Sequence, residues 1–304
     1  MNMMGDVMDV TSTNSVVPDD MDGKSMKASG DADDSRGSGL LNGNETLFAK
    51  MPVAMDARYY NMDHRRRGLA VIFNHEHFDI RTLKPRSGTR VDRDNLQESL
   101  KYLGFEVSVH NDLNFKDITK VIEEVAEADH SDCDSFVMAV LSHGELGILY
   151  ARDAPYKAES LWARFSADKC PQLAGKPKLF FIQACQGDRL DPGVTLRRTE
   201  TDGNPVSYKI PTQADFLIAY STVPGYYSWR NTTNGSWFMQ ALCYELKRHG
   251  FSLDILTLMT FVNQHVAIDF ESNSPQSPTM HNQKQIPCIT TMLTRLLLFS
   301  EKQK

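Results

Sequence analysis

Four short stretches of this chain are apolar at every position: Leu69 to Phe73, Val137 to Leu141, Leu179 to Ile182 and Phe216 to Tyr220. Runs of that length without alternation are the mark of strands buried on both faces. Phe105 to Val109 reads as a further strand. Between them the period changes to that of a helix. Asp92 to Leu103 places Leu96, Leu100 and Leu103 on one face, with Gly104 as its stop. Phe115 to Ala128 follows, with Asn114 as N-cap, and further helices are expected over about Ala158 to Phe165, Ser236 to Arg248 and Leu253 to Ile268. Ile286 to Leu298 predicts a last strand, apolar enough to need cover. Strands alternating with helices predict an α/β fold, a three-layer sandwich with a mainly parallel six-stranded sheet and helices on both faces.

Two segments break this texture. Residues 1–50 are rich in Asp, Ser, Gly, Asn and Met and bear no periodicity, so they are expected to be a disordered acidic segment. Residues 51–304 are expected to form a single domain. Between Gln186 and Gln213 the pattern collapses into Asp, Gly, Pro, Thr and Arg, a loop too long for an ordinary α/β connection.

Composition narrows the class. A net charge of −6 argues against general nucleic-acid binding, and no apolar run reaches membrane-spanning length. No charged leader precedes an apolar stretch at the N-terminus, so a soluble, cytoplasmic protein is expected. The five cysteines are odd in number and no pair has Cys-x-x-Cys spacing, so neither a disulfide framework nor a zinc site is expected. His75-Glu76-His77 lacks a third ligand nearby and reads as a strand-end loop; no metal and no cofactor are expected. Arg65-Arg66-Arg67 reads as a solvated face.

The candidate chemistry lies at two strand ends. One apolar run leads into Gln183-Ala184-Cys185-Gln186-Gly187 and another into Ser142-His143-Gly144. In open α/β sheets the carboxyl rim carries the chemistry. Taken alone, Cys185 is better read as a buried structural cysteine and His143 as a rim histidine. Taken together they form the layout of a cysteine nucleophile and a histidine base, with the imidazole expected to hold the thiol as thiolate. The backbone N–H groups of Gly144 and Cys185 are placed to bind a developing oxyanion. Arg86, in Pro85-Arg86-Ser87-Gly88-Thr89, and Arg230, in Tyr227-Ser228-Trp229-Arg230-Asn231, are either two surface arginines or a paired-guanidinium site for a carboxylate.

At this point the chain resembles the caspases, cysteine proteases that cut after aspartate, over roughly Met51 to the C-terminus. Gln183 to Gly187 fits the caspase signature Gln-Ala-Cys-[Arg/Gln/Gly]-Gly. Ser142-His143-Gly144, Arg86-Ser87-Gly88-Thr89, Tyr227 to Asn231, Gly235-Ser236-Trp237-Phe238 and Gln285-Ile286-Pro287-Cys288 follow in the family's order. The resemblance implies Cys185 as nucleophile, His143 as the acid/base, and Gly144 with Cys185 as the oxyanion hole. It implies that Arg86, Gln183 and Arg230, with Ser228 beside them, hold the substrate aspartate. Tyr227 and Trp229 would line the next pocket, and Trp237 with Asn231 the one two residues further out.

It also implies an executioner-type zymogen acting in programmed cell death, because the leading segment is too short for a folded recruitment domain. Asp202, in Thr199-Glu200-Thr201-Asp202-Gly203, is the expected cut between a large subunit of about 51–202 and a small subunit of about 203–304. Asp22 and Asp34 are the candidates for release of the propeptide. A homodimer of large and small subunit pairs, an upstream initiator caspase and apoptosis inhibitors are implied as partners. The segment before Gln285 departs from the family by lacking its aromatics, with Met280 a candidate to fill the place of one. Two rivals remain: a catalytically silent relative, which should have lost one of these residues, and a cysteine peptidase with a preference for basic residues, which should carry acids where this chain has arginines.

Overall fold

The computed structural model describes residues 52–192, 212–273 and 276–302. The expected propeptide with Asp22 and Asp34, and the expected processing site Asp202, lie outside the described residues. The apolar runs become β1 (Leu69–Asn74), β3 (Phe136–Leu141), β7 (Lys178–Gln183) and β8 (Phe216–Tyr220). Strands β3 and β7 are buried at every position and stand in the middle of the sheet. Strand β2 (Glu106–Asn111), whose side chains are only partly covered, forms one edge, and β11 (Cys288–Thr291) the other. The order is β11-β8-β7-β3-β1-β2, and every pairing is parallel except that of β11 with β8.

Because successive residues of a strand face opposite ways, each central strand feeds two cores. Ala70, Ile72, Val137, Ala139, Leu179 and Phe181 meet α1 (Thr89–Tyr102), α3 (Trp237–His249) and α4 (Ile255–Asp269). Val71, Phe73, Met138, Val140, Phe180 and Ile182 meet α2 (Phe115–Glu127) and two single 3₁₀ turns. Phe136 anchors that second layer, stacking on Phe165 at 4.4 Å. The expected three-layer arrangement is therefore what forms.

Several local expectations differ. Helix α1 begins at Thr89, ahead of Asp92, directly after Gly88 at φ +88. The expected helix over 158–165 is a single 3₁₀ turn, Ala158–Leu161. There the Ser160 hydroxyl bonds back to the Lys157 carbonyl, and Phe165 leaves helical register to join the aromatic layer. Asn114 caps α2 without a side-chain bond; the Phe115 N–H donates instead to Asp153 Oδ1 at 2.8 Å. The last apolar stretch divides between two environments. Only Cys288–Thr291 is strand, while Leu297 and Phe299 turn back into this chain's own core, Phe299 against Phe105 at 5.8 Å. The arginine triplet is not a free face. Arg67 is buried on Asp134 at 2.7 Å, Arg66 pairs with Glu106 and Arg65 with Asp132.

The connections at the carboxyl end of the sheet carry two small antiparallel pieces. One is β4 (Gly144–Glu145), β5 (Ile148–Tyr150) and β6 (Pro155–Lys157); the other is the hairpin of β9 (Arg230–Asn231) and β10 (Gly235–Ser236).

Candidate active site

Strands β3 and β7 are parallel neighbours with Leu141 opposite Gln183. Each continues beyond that pair, to His143 and to Cys185, and the Ser142 N–H still bonds the Gln183 carbonyl at 3.1 Å. The imidazole and the thiol thus leave the sheet at adjoining positions. His143 Nε2 lies 2.8 Å from the Lys84 carbonyl. A carbonyl only accepts, so Nε2 carries the proton and Nδ1 keeps the free lone pair. The ring also packs on Phe78 at 4.9 Å. Lys84 precedes Pro85, and a residue in that place is biased to extended backbone, which helps to present its carbonyl.

The thiol is held by Ser228. Cys185 Sγ accepts from the Ser228 N–H at 3.4 Å and lies 3.8 Å from the Ser228 carbonyl. Burial pushes the Cys185 thiol above its ordinary range, against the pull of Arg86 and Arg230. Burial pushes His143 below the ordinary imidazole range, and the same two arginines push it further. Both directions run against the expected thiolate and favour a neutral thiol beside a neutral imidazole. Gly144 lies hard against the cysteine loop. A Cβ there would stand 2.9 Å from the carbonyl oxygens of Cys185 and Ile148 and from Ala184 Cβ.

Beside the thiol the two arginines converge. Arg86 is buried, donating Nη1 to the His75 carbonyl at 3.0 Å and to Thr89 Oγ1 at 2.7 Å. Burial first and Arg230 second bring its pKa down to about 9. Arg230 Nε is buried without a partner, and burial likewise pushes this guanidinium down. Gln183 donates Nε2 to Ser228 Oγ at 2.8 Å, leaving its Oε1 without a partner. Among the described residues neither guanidinium forms an ion pair, so the pocket holds uncompensated donors for a carboxylate.

Aromatic rings continue the wall. Tyr227 meets Trp229 edge-on at 5.1 Å, Trp229 stacks on Trp237 at 5.6 Å, and Trp237 stacks on Phe270 at 5.5 Å. Asn231 Oδ1 accepts the N–H groups of Thr233 and Asn234 within its own hairpin. Met280 ends a 3₁₀ turn and bonds through its backbone to Ser272 and Ser277. Sequence reasoning missed Lys84, Phe270 and the Thr89–Asn74–Asn111 hydrogen-bond chain behind Arg86. Pro85 was the one available signal for Lys84. Among the described residues no group of His, Cys, Asp and Glu is arranged to hold a metal ion. No helix among them is long and apolar enough to cross a membrane.

A thiol and an imidazole at adjoining strand ends of an α/β sheet, beside a buried donor pocket, define the layout of a cysteine hydrolase. The family described as Caspase domain matches residues 67–298. Caspase-1 of Spodoptera frugiperda is 64% identical over 275 residues, covering 90% of this chain and 92% of that protein. Caspase drICE of Drosophila melanogaster is 64% identical over 84% of this chain and 76% of its own length, and caspase-3 of Bos taurus 44% identical over 86% and 93%. The crystal structure of the Spodoptera frugiperda caspase-1 matches with a TM-score of 0.80, over 85% of this chain and 99% of that one. The chain belongs to the caspase family, and is a cysteine-type peptidase.

Proposed function

We propose that this executioner-type caspase cuts proteins after aspartate, with Cys185 as nucleophile and His143 as acid/base. The observation that carries the reading is the pair of arginines beside the thiol, Arg86 buried and Arg230 half-buried with its Nε buried and unpartnered, neither in an ion pair among the described residues. A substrate aspartate whose side chain is seated there with Gln183 and Ser228 brings its own main-chain carbonyl to Cys185. His143 Nδ1 takes the thiol proton as sulfur attacks, and the carbonyl oxygen gathers charge beside the N–H groups of Gly144 and Cys185. Collapse forms a thioester and expels the amine, which takes its proton from His143. Water activated by the same Nδ1 then releases the acid and restores the thiol. Any neutral residue in the pocket leaves desolvated cations unpaired, a situation that supports discrimination of about 10⁴.

Activation is assigned to cleavage at Asp202, with Asp22 or Asp34 releasing residues ahead of the domain. The homodimer is assigned to the exposed edge of β11, where Thr290 and Thr291 are uncovered. An initiator caspase, apoptosis inhibitors and a cytoplasmic setting complete the reading. The test is hydrolysis of fluorogenic tetrapeptides ending in Asp, Asn, Glu or Arg, by the wild type and by Cys185→Ala. Cleavage after Asp alone, lost in the variant, is expected. Turnover that survives in the variant means another thiol is the nucleophile.

A further inference from the structure

Asp92 sits in the first turn of α1, shortly after Arg86, and is buried. Both of its oxygens are given to one residue. Oδ1 accepts the Ser236 N–H at 2.7 Å and Oδ2 the Ser236 hydroxyl at 2.6 Å. Ser236 is the residue opposite Arg230 in the β9–β10 ladder. A carboxylate rooted on the helix that follows Arg86 therefore grips the backbone opposite Arg230. The hairpin is shaped for it: a Cβ on Gly235 would lie 2.3 Å from Asp92 Oδ1. A second close approach lies at the start of α1, where a Cβ on Gly88 would lie 2.5 Å from the Thr232 carbonyl oxygen. The segment of Arg86 and the hairpin of Arg230 are thus joined at two points by contacts with no slack.

Taking the pocket reading above as its basis, we infer that Asp92 is a positioning residue that sets the separation of the Arg86 and Arg230 guanidinia, and through it the fit of the substrate carboxylate. Burial pushes the Asp92 carboxyl above its ordinary range, and the Ser236 hydroxyl and N–H and the two guanidinia offset only part of that cost. The two Ser236 hydrogen bonds therefore matter to keeping it in place. A carboxylate that merely tied α1 to the hairpin would affect stability alike for every substrate; one that sets the pocket's width acts on the substrate carboxylate in particular.

The test compares Asp92→Ala, Asp92→Asn and Ser236→Ala in the cleaved enzyme, with kcat and KM for peptides ending in Asp and in Glu and thermal unfolding as the fold control. Asp92→Ala should raise KM for the Asp peptide about tenfold, the size of one lost hydrogen bond to a charged group, and narrow the preference over Glu, with kcat nearly unchanged. Asp92→Asn keeps an acceptor for the Ser236 N–H and should restore both. A folded Asp92→Ala enzyme with wild-type KM and preference overturns the inference, as does an equal KM rise in Asp92→Asn, which would assign the effect to charge. If Asp92→Ala does not fold, Ser236→Ala serves instead, and an unchanged KM there overturns it. Arg230→Gln separates the two levels. If that variant still cuts after Asp, the pocket reading itself fails; if it is inactive while Asp92→Ala is normal, only the role of Asp92 falls.

Discussion

Gly144→Ala tests the oxyanion site through one methyl group. An ideal Cβ at this position meets two carbonyl oxygens, of Cys185 and Ile148, and Ala184 Cβ, all at 2.9 Å. Comfortable carbon contacts begin near 3.5 Å, so the backbone must move by roughly 0.5 Å or more. None of the three obstacles is the far end of a flexible side chain, and the movement falls on the N–H groups that the proposed mechanism assigns to the oxyanion. Overpacking of this kind costs about 1–3 kcal/mol of stability, which a domain of this size survives. A misplaced oxyanion donor costs about 10²–10³ in kcat. The expected result is a folded enzyme with kcat down at least a hundredfold on an Asp-ending tetrapeptide and KM changed far less. Adding Ala184→Gly removes one obstacle but neither carbonyl, so it should restore only a small part of the rate. A Gly144→Ala enzyme with melting lowered but kcat within about threefold of wild type would show that this N–H does not bind the oxyanion.

Arg230→Glu should abolish cleavage after Asp without unfolding the chain, because it reverses the charge at one side of the pocket; near-normal turnover would remove Arg230 from that pocket. Asp202→Ala should leave an uncut, weakly active precursor, and fragments of unchanged size would place the processing site elsewhere. His75 is fully buried with neither ring nitrogen partnered, and burial holds its pKa at about 4. Its folded value lies below its unfolded one, so stability is complete above the ordinary imidazole range and falls as pH drops toward about 4, by up to about 3 kcal/mol. Denaturant melts of His75→Asn should show a flatter acid limb, and an unchanged limb would exonerate this residue. Iodoacetamide alkylation of Cys185 should accelerate only above the ordinary thiol range, and rapid labelling near neutrality would contradict a neutral resting thiol.

What could be seen in the chain was whatever a buried strand imposes on composition. Strands β3 and β7 must be apolar on both faces, so their runs stand out, and the polar residues that end them, His143 and Cys185, stand out too. That the two meet depends on the Leu141–Gln183 register, for which no local signal exists. The family's motif order supplied that information in place of physics. Backbone groups were the least legible: the Lys84 carbonyl that orients His143 has no side-chain signature beyond the proline after it. Asp92 shares the buried face of α1 with Leu96 and Leu100, yet as a charged first-turn residue it looks like an ordinary acid near a helix start, although it is buried on Ser236. Ile286 to Leu298 was misjudged for a similar reason. Hydrophobicity says that a run is covered, and a single run has no mark where the cover changes from a sheet edge to the chain's own core.

The neutral resting pair gives the arginines a second consequence. Arg86 and Arg230 act on both reacting groups, favouring the thiolate at Cys185 and opposing protonation at His143. In the empty site burial outweighs them at the thiol and adds to them at the imidazole, so His143 is a poor base and Cys185 a weak acid. On the proposed reading, a substrate carboxylate seated between the guanidinia cancels most of their field. His143 then regains basicity at the moment a scissile carbonyl is present, and a peptide without the carboxylate leaves it weak. The acid limb of kcat/KM reports His143 in the free enzyme and that of kcat reports it in the complex. The limb of kcat should therefore lie at higher pH than the limb of kcat/KM for an Asp-ending peptide, and coincident limbs would mean that the pocket's charge does not reach the imidazole.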